Sequence, residues 1–529
     1  MDRAPIPDKT HAKGVARLAA VDLGSNSFRL EIGHVDHGQY VRTEYLKESV
    51  RQGNGMDEDR NLTPQSMQRG VDCLARFGER LAGFKPSEVR AVATQTLREA
   101  RNRDQFLGQA KKALGFPIEV ISGREEARLI YHGVSQMLPK ISERRLVIDV
   151  GGRSTELILG EGATPNLMES YRVGCVAWST RYFQDGQFSK KAFESAEIAA
   201  KAVLDECLTT YRRDLWDVAY GSAGTVGAVC DVLAAAGRPA GSINRAGLDW
   251  MLEQLLAAGH GDRLRLPGLK EDRAPIIGGG LAILRALFDL LQIDELQLAS
   301  GGLRHGLIGE LMGGASKQMY LPEVSVKRLG QRFGVDVAQA ERVATVAGQL
   351  FDQLIDPPID QPIDQPGGPA RPRQNSGGEE ALLRHRRKLA WAANLHEIGS
   401  QISHSDYHKH GAYILDNADV LGLSVDELHR LSLLVLGHRG KLRKLDLEQD
   451  DPVFIFQLMA LRLAVILCHA RRDPDVKGMA LALDDRQAQR IQLSCRAGWG
   501  SAYPQSAHLL NEEVAAWQKT RWSLAVKAN

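Results

Sequence analysis

One stretch of this chain is written twice. Residues 21–33 read VDLGSNSFRLEIG, and residues 148–160 read IDVGGRSTELILG. The two align without a gap, placing Asp22 on Asp149, Gly24 on Gly151, Ser27 on Ser154, Leu30 on Leu157 and Gly33 on Gly160. Each is an apolar strand running into an aspartate, a Gly/Ser turn and a second apolar strand, which is the pattern of a hairpin. Its tip offers backbone N–H groups, hydroxyls and one carboxylate, a set that suits a phosphate and its magnesium ion. Two copies predict two related half-domains facing each other across a phosphate cleft.

A chain of 529 residues has room for three or four domains. Its 43% hydrophobic and 25% charged residues are ordinary for a globular protein. A formal net charge of +2 carries no bulk attraction for polyanions, so a polyanionic partner would need local basic patches. No nucleic acid is expected. The six cysteines, Cys73, Cys175, Cys207, Cys230, Cys468 and Cys495, form no CxxC pair and read as buried free thiols of a reducing cytoplasm. The start, MDRAPIPDKTHAKG, lacks the apolar core of a signal peptide. No run approaches the ~18 uninterrupted apolar residues of a membrane span.

Residues 1–15 read as a disordered tail. Residues 16–139 form a first lobe of mixed strands and helices, with a helix from Thr63 through Leu81, Pro64 in its first turn, and strands at Val89–Ala93 and Ile118–Ile121. Residues 140–312 form a second lobe that opens with the repeated hairpin, so the fold class is α/β. Residues 320–450 are helical, interrupted at 356–380 by a Pro/Gly/Gln-rich stretch with a PIDQ repeat, read as a mobile loop. Residues 451–529 read as a small α+β domain: one apolar helix, strands near Met479–Leu483 and Arg490–Cys495, and a last amphipathic helix.

Four glycine turns follow apolar strands: Gly24-Ser25-Asn26-Ser27, Gly151-Gly152-Arg153-Ser154-Thr155, Gly221-Ser-Ala-Gly224-Thr225 and Ser300-Gly-Gly302. The last two open into helices, whose free N–H groups bind anions. None matches a P-loop or a Rossmann fingerprint. Asp22 and Asp149 stand where a magnesium ligand or a turn cap would stand. Glu156 follows Asp149 by seven residues, a spacing that either returns a hairpin residue to the same cleft or leaves it as an exposed face charge. Ser122 and Glu125 make an S-x-x-E capping box, which leaves Glu126 as the carboxylate free to activate water. Arg98, at a strand-to-helix junction in TQTLREARN, reads equally as a fork onto a phosphate or as a surface arginine.

At these residues the chain resembles the exopolyphosphatase / guanosine pentaphosphate phosphohydrolase family. That family belongs to the acetate-kinase, sugar-kinase, heat-shock-chaperone and actin fold superfamily. The resemblance runs from VDLGSNSFRL through ATQTLREARN, ISGREEARLIYHG, DVGGRSTE, GSAGT and ASGGLRHGL into the helical region. It implies two duplicated actin-like (ribonuclease H-like) lobes, a helical HD-like third domain and the small α+β C-terminal domain. It implies that Glu126 is the catalytic base, that Asp149, Gly151 and Glu156 belong to the phosphate and metal site, and that Asp22 stands opposite. It further implies magnesium or manganese, potassium as an activator, and a homodimer. The expected activity is release of orthophosphate from the end of inorganic polyphosphate, with hydrolysis of guanosine pentaphosphate (pppGpp) at the same site as the alternative. A kinase would need a nucleotide pocket and an acceptor site, whereas Glu126 suits water as the acceptor.

Arg153 departs from the commoner family pattern, which has glycine there, and is placed to add a phosphate contact. The HD-like region carries His385, His396, His404, His408, His410 and His438, but its His-Asp pair reads His396-Glu397, so packed histidines are expected rather than a metal site. Its basic residues (Arg384, Arg386, Arg387, Lys388, Lys409, Arg439, Lys441, Arg443 and Lys444) suggest a track for a long polyanion.

Overall fold

The computed structural model describes residues 17–37, 39–138, 142–313, 321–355, 376–418, 420–442, 445, 451–484 and 489–528. The tail read at 1–15 and the loop read at 356–375 lie outside these residues. Residues 376–380, assigned to the same loop, instead open the helix Ser376–Leu395. Packing divides the chain into two units, one ending at Lys317 and one beginning at Gln318.

The first unit holds two sheets. One consists of β1 (Arg17–Leu23), β2 (Phe28–Asp36), β3 (Gln39–Glu48), β4 (Val89–Ala93) and β5 (Ile118–Val120), in the order β3-β2-β1-β4-β5. The other consists of β6 (Arg144–Val150), β7 (Thr155–Glu161), β8 (Thr164–Tyr171), β9 (Val218–Ser222), β10 (Ser242–Asn244) and β11 (Glu295–Leu298), in the order β10-β11-β9-β6-β7-β8. Starting from β3 and from β8, both sheets run through an antiparallel meander and then two parallel strands. β10 is an added edge. The repeat seen in the sequence is therefore a repeat of topology.

Leu23 pairs with Phe28 and Val150 with Thr155, so each hairpin closes on its four-residue turn. Each lobe also carries one register shift, between Ile32 and Gly33 and between Leu159 and Gly160. β1 and β6 are buried on both faces beyond their first residue, as central strands covered by helices must be.

Two helix starts follow from local chemistry. Thr63 Oγ1 accepts the Ser66 N–H at 3.3 Å ahead of the helix Pro64–Arg80, and Ser122 Oγ accepts the Glu125 N–H at 3.2 Å ahead of the helix Gly123–Met137. Both satisfy an otherwise orphaned N–H group. The stretch Ala274–Leu291 is apolar and long enough to raise the question of a membrane span, but 72% of it is buried within the second lobe. Leu281, Ile283, Leu284 and Leu287 are core there.

The helix Leu303–Gly313 belongs by sequence to the second lobe, yet Leu307 and Ile308 share a core with Leu18, Ala20 and Val92 of the first. Glycines permit this. A Cβ on Gly306 would lie 2.0 Å from Leu129 O, and one on Gly133 would lie 2.1 Å from Gly302 O. The chain thus crosses back and straps the first lobe.

The second unit packs the helices Leu321–Arg332, Val337–Ile355, Ser376–Leu395, Tyr407–Asn417, Val425–Gly437 and Pro452–Leu467 with a sheet of β12 (Ala480–Leu483), β13 (Arg490–Cys495) and β14 (Ser523–Ala528). One hydrophobic core runs from Val326 through Leu350, Leu434 and Phe454 to Leu493 and Leu524. The boundary drawn at residue 451 therefore does not interrupt packing. Pro452–Leu467 is apolar except at Gln457 and Arg462, and Phe454–Ala464 is buried without a break, so it needs neighbours on every side, with Glu513 answering the buried Arg462.

Candidate active site between the two hairpin turns

The two turns share a close approach at their first glycine. In the first, a Cβ on Gly24 would lie 3.0 Å from Ser27 O; in the second, a Cβ on Gly151 would lie 3.0 Å from Ser154 O. Their carbonyls are tied down from outside. Ser25 O and Asn26 O accept from Gly53 and Arg51, and Gly151 O and Gly152 O accept from Cys175 and Val176, all at 2.8–2.9 Å. The N–H groups of Ser25, Asn26, Ser27, Gly152, Arg153 and Ser154 donate to no backbone acceptor among the described residues, which is what a phosphate cradle requires. Ser27 Oγ is buried and also lacks a partner there. The tips meet: a Cβ on Gly152 would lie 3.1 Å from Ser25 Cβ.

The duplication breaks where charge matters. Asp22 pairs across its hairpin with Arg29, whereas Asp149 pairs across its own with Glu156. Arg29 donates to Asp22 at 3.2 Å, and Arg304 stands 3.7 Å from the same oxygen. Asp22 thus stands between two arginines, which breaks the expected symmetry of the two aspartates. Asp149 and Glu156 form a directly opposed like-charge pair, which is destabilising in a sheet.

Burial pushes the Asp149 carboxyl up to about 6; the Ser222 hydroxyl and Arg29 counter it, and Asp22 adds to it. Burial, with Glu126 and Asp149 nearby, raises Glu156 well above the usual carboxylate range, against hydrogen bonds from Ser170 and Ser154. Ser170 Oγ lies 2.7 Å from Glu156 Oε1. Glu126 is pushed up to about 7, mainly by burial, with Arg98 opposing and Asp149 and Asp22 reinforcing.

Among the described residues, no group of three or more His, Cys, Asp or Glu side chains is arranged to hold a metal alone. Magnesium does not need one, since it commonly takes one or two carboxylates together with substrate phosphate oxygens. Asp149 and Glu156, opposed across the hairpin and with carboxyls raised chiefly by burial, fit that role.

A pH dependence follows. Glu126 and Asp149 have folded values of about 7 and about 6, above their ordinary values near 4. Their neutral forms therefore favour the fold at low pH, and that stability is lost as pH rises from about 4 through 7. A cation that relieves the repulsion should raise the melting midpoint by roughly 2–4 °C at pH 8 and by less than half of that at pH 5.5. Thermal melts with and without magnesium at the two pH values check this; equal shifts would remove these carboxylates as the site.

Several expected phosphate ligands are occupied elsewhere. Arg98 donates from Nη1 to Glu126 Oε2 at 2.8 Å and to Ile121 O at 2.9 Å, and from Nε and Nη2 to Gln95 Oε1 at 3.0 and 2.6 Å. It anchors the candidate base rather than forking onto a phosphate. Arg153 donates to Glu99 Oε2 at 3.1 and 2.8 Å and to Gly53 O at 3.1 Å. Thr155 Oγ1 donates to Val173 O at 2.6 Å, and Thr225 Oγ1 to Val150 O at 3.0 Å, so both hydroxyls brace strands. Gly224 lies under Arg273, whose Nη2 would be 2.0 Å from a Cβ there. The Glu125 carboxylate grips Arg128 at 2.7 and 2.8 Å, a structural role as expected. The residues that reading motifs overlooked are Arg29, Arg304, Ser222, Gln95 and Glu99. Arg29 was within reach, because hairpin register places it opposite Asp22.

In the second unit, His396 and His438 are buried, with Nδ1 atoms 2.7 Å from Ala393 O and 2.6 Å from Val435 O. Glu397 pairs with Arg471 at 2.7 Å. Three residues of the basic track are already matched: Arg386 with Asp352, Lys388 with Glu427 and Lys409 with Asp406. Arg443 and Lys444 lie outside the described residues.

Comparison with known proteins places this geometry. The model of the Ppx/GppA phosphatase family matches residues 34–314, and that of Ppx/GppA phosphatase, domain III, matches residues 322–514. A guanosine-5'-triphosphate,3'-diphosphate pyrophosphatase of Vibrio parahaemolyticus is 36% identical over 515 residues, covering 96% of this chain and 98% of that protein. One of the same name from Aeromonas hydrophila is 36% identical over 508 residues, covering 95% and 97%. The crystal structure of an exopolyphosphatase from Cytophaga hutchinsonii superposes with a TM-score of 0.51 at 22% identity, over 56% of this chain and 98% of that one; at that identity the likeness is one of fold.

Proposed function

The chain belongs to the Ppx/GppA phosphatase family, and from that premise we propose that it hydrolyses the terminal 5'-phosphoanhydride of guanosine-5'-triphosphate,3'-diphosphate, releasing orthophosphate. The observation that carries the chemistry is Glu126: buried, fixed by Arg98 through Oε2, and pushed up to about 7. Its Oε1, which has no hydrogen-bond partner among the described residues, is the oxygen left to take a proton. Two near-full-length relatives named for the nucleotide favour it over the polymer, and the pairing of Arg386, Lys388 and Lys409 in the second unit supports that choice.

The turns hold the terminal phosphate by backbone N–H groups. Glu126 Oε1 accepts a proton from water as the water oxygen bonds to phosphorus, and the bond to the leaving phosphate oxygen breaks. Asp149 and Glu156 would hold magnesium, which when bound neutralises charge developing on the phosphate oxygens. Arg29 and Arg304 flank Asp22 beside them.

The test is orthophosphate release with magnesium from guanosine-5'-triphosphate,3'-diphosphate and from long-chain polyphosphate at matched concentrations of terminal phosphate. Faster release from the nucleotide is expected. A clear preference for polyphosphate would make the chain an exopolyphosphatase, and release from neither would sink the hydrolase reading.

A further inference from the structure

Glu126 is the first member of a polar chain that ends in the opposite lobe. Its Oε2 accepts from Arg98; Gln95 Oε1 accepts from Arg98; Gln95 Nε2 donates to Glu99 Oε1 at 2.6 Å; and Glu99 Oε2 accepts from Arg153. Donors and acceptors alternate without a mismatch, and each charge is followed by its opposite. Gln95 is 5% exposed, and the Arg98 and Glu99 side chains are each 13% exposed, so the chain is shielded from water. Glu126, Arg98, Gln95 and Glu99 belong to the first lobe. Arg153 alone comes from the second, out of the turn after β6. Its remaining contact, Gly53 O, is also in the first lobe, one residue from Gln52 and hydrogen-bonded through its own N–H to Ser25 O.

We propose that Arg153 is a positioning residue for Glu126: by closing on Glu99 and Gly53 it makes alignment of the base conditional on contact between the two lobes. This rests on Glu126 being the base. With the lobes apart, Glu99 loses the Arg153 guanidinium and its carboxylate is free to turn from Gln95 Nε2, so Arg98, still held by Glu126 and Ile121 O, loses a fixed partner in Gln95. A carboxylate that moves by an ångström no longer reaches its water, at a cost on the order of 10- to 100-fold in rate. With the lobes together, the same side chain seals the first turn against the second, where Gly152 meets Ser25. A guanidinium is needed because it bridges a carboxylate and a carbonyl in one plane.

The experiment compares wild type, Arg153→Gly, Arg153→Lys, Glu99→Gln and the Arg153→Gly/Glu99→Gln double variant in the full chain. Arg153→Gly and Glu99→Gln should each lower kcat on guanosine-5'-triphosphate,3'-diphosphate by roughly 10-fold with KM changed less than about twofold. The double variant should be no worse than the weaker single, and Arg153→Lys should recover part of the loss. Hydrogen exchange without substrate should quicken at residues 23–28 and 150–155 in both single variants. A KM rise confined to Arg153 variants, with Glu99→Gln unaffected, would make Arg153 a direct phosphate ligand and overturn the proposal. Additive losses or unchanged exchange would also overturn it. Absent turnover in wild type would sink the hydrolase reading instead, and the exchange measurement would still decide whether Arg153 and Glu99 hold the lobes together.

Discussion

Glu126→Gln should lower kcat for orthophosphate release by about 10²–10⁴-fold, the range general-base catalysis supplies, with substrate binding nearly unchanged. The amide keeps the side chain's shape, and its oxygen can still accept from Arg98, so the chain through Gln95 and Glu99 survives. What goes is the basic oxygen. The variant should also melt no lower than wild type at pH 8, because it removes a buried carboxylate that burial and Asp149 both disfavour. Single-turnover hydrolysis, equilibrium binding and a thermal melt separate these effects. Turnover within tenfold of wild type would dismiss Glu126 as the base.

Asp149→Asn should cost at least 10²-fold in activity, comparable to losing one preorganised electrostatic contact at the reacting phosphate, while raising the stability of the protein without metal. Asp149 stands directly across from Glu156 in register, so neutralising it removes the like-charge opposition. The same change removes a candidate ligand, so the magnesium-dependent rise in melting midpoint should shrink or vanish. A variant that is more stable, inactive and indifferent to magnesium is the signature of a site whose strain serves function. Undiminished magnesium stabilisation would relocate the cation. Glu156→Gln provides the matching control from the other strand.

What could be read in advance was whatever depends on local order. The gapless repeat predicted both hairpins; strand β4 runs Val89–Ala93 as expected; Thr63 caps its helix; and Ser122 caps the helix that carries Glu126. Where long side chains go was hidden. Arg98 and Arg153 looked like phosphate ligands because guanidinium groups near glycine turns often are. Their partners lie far along the chain: Glu126 is 28 residues from Arg98 within the same lobe, and Glu99 is 54 residues from Arg153, which reaches it from the other lobe. The strap Leu303–Gly313 was misassigned because nothing in a helix names the sheet it covers; the clue was the small residues Gly302 and Gly306, which allow close approach. The boundary at 451 came from a change in composition, and the all-round burial of Pro452–Leu467 shows why composition misled. The symmetric pairing of Asp22 with Asp149 failed at one aligned position, where Arg29 answers Glu156.

The paired register shifts fall at equivalent residues. Gly33 and Gly160 occupy the same place in the aligned hairpins, and each sits where a β-carbon would collide with an aromatic ring: Tyr40 at 2.5 Å in one lobe, Tyr131 at 2.3 Å in the other. The rings come from different elements, a neighbouring strand and a helix, so packing did not impose the coincidence separately on each side. The two hairpins therefore bend at the same aligned glycine, as copies of one unit would. The arginine that answers one aspartate and the glutamate that opposes the other turn that repeated unit into an asymmetric site.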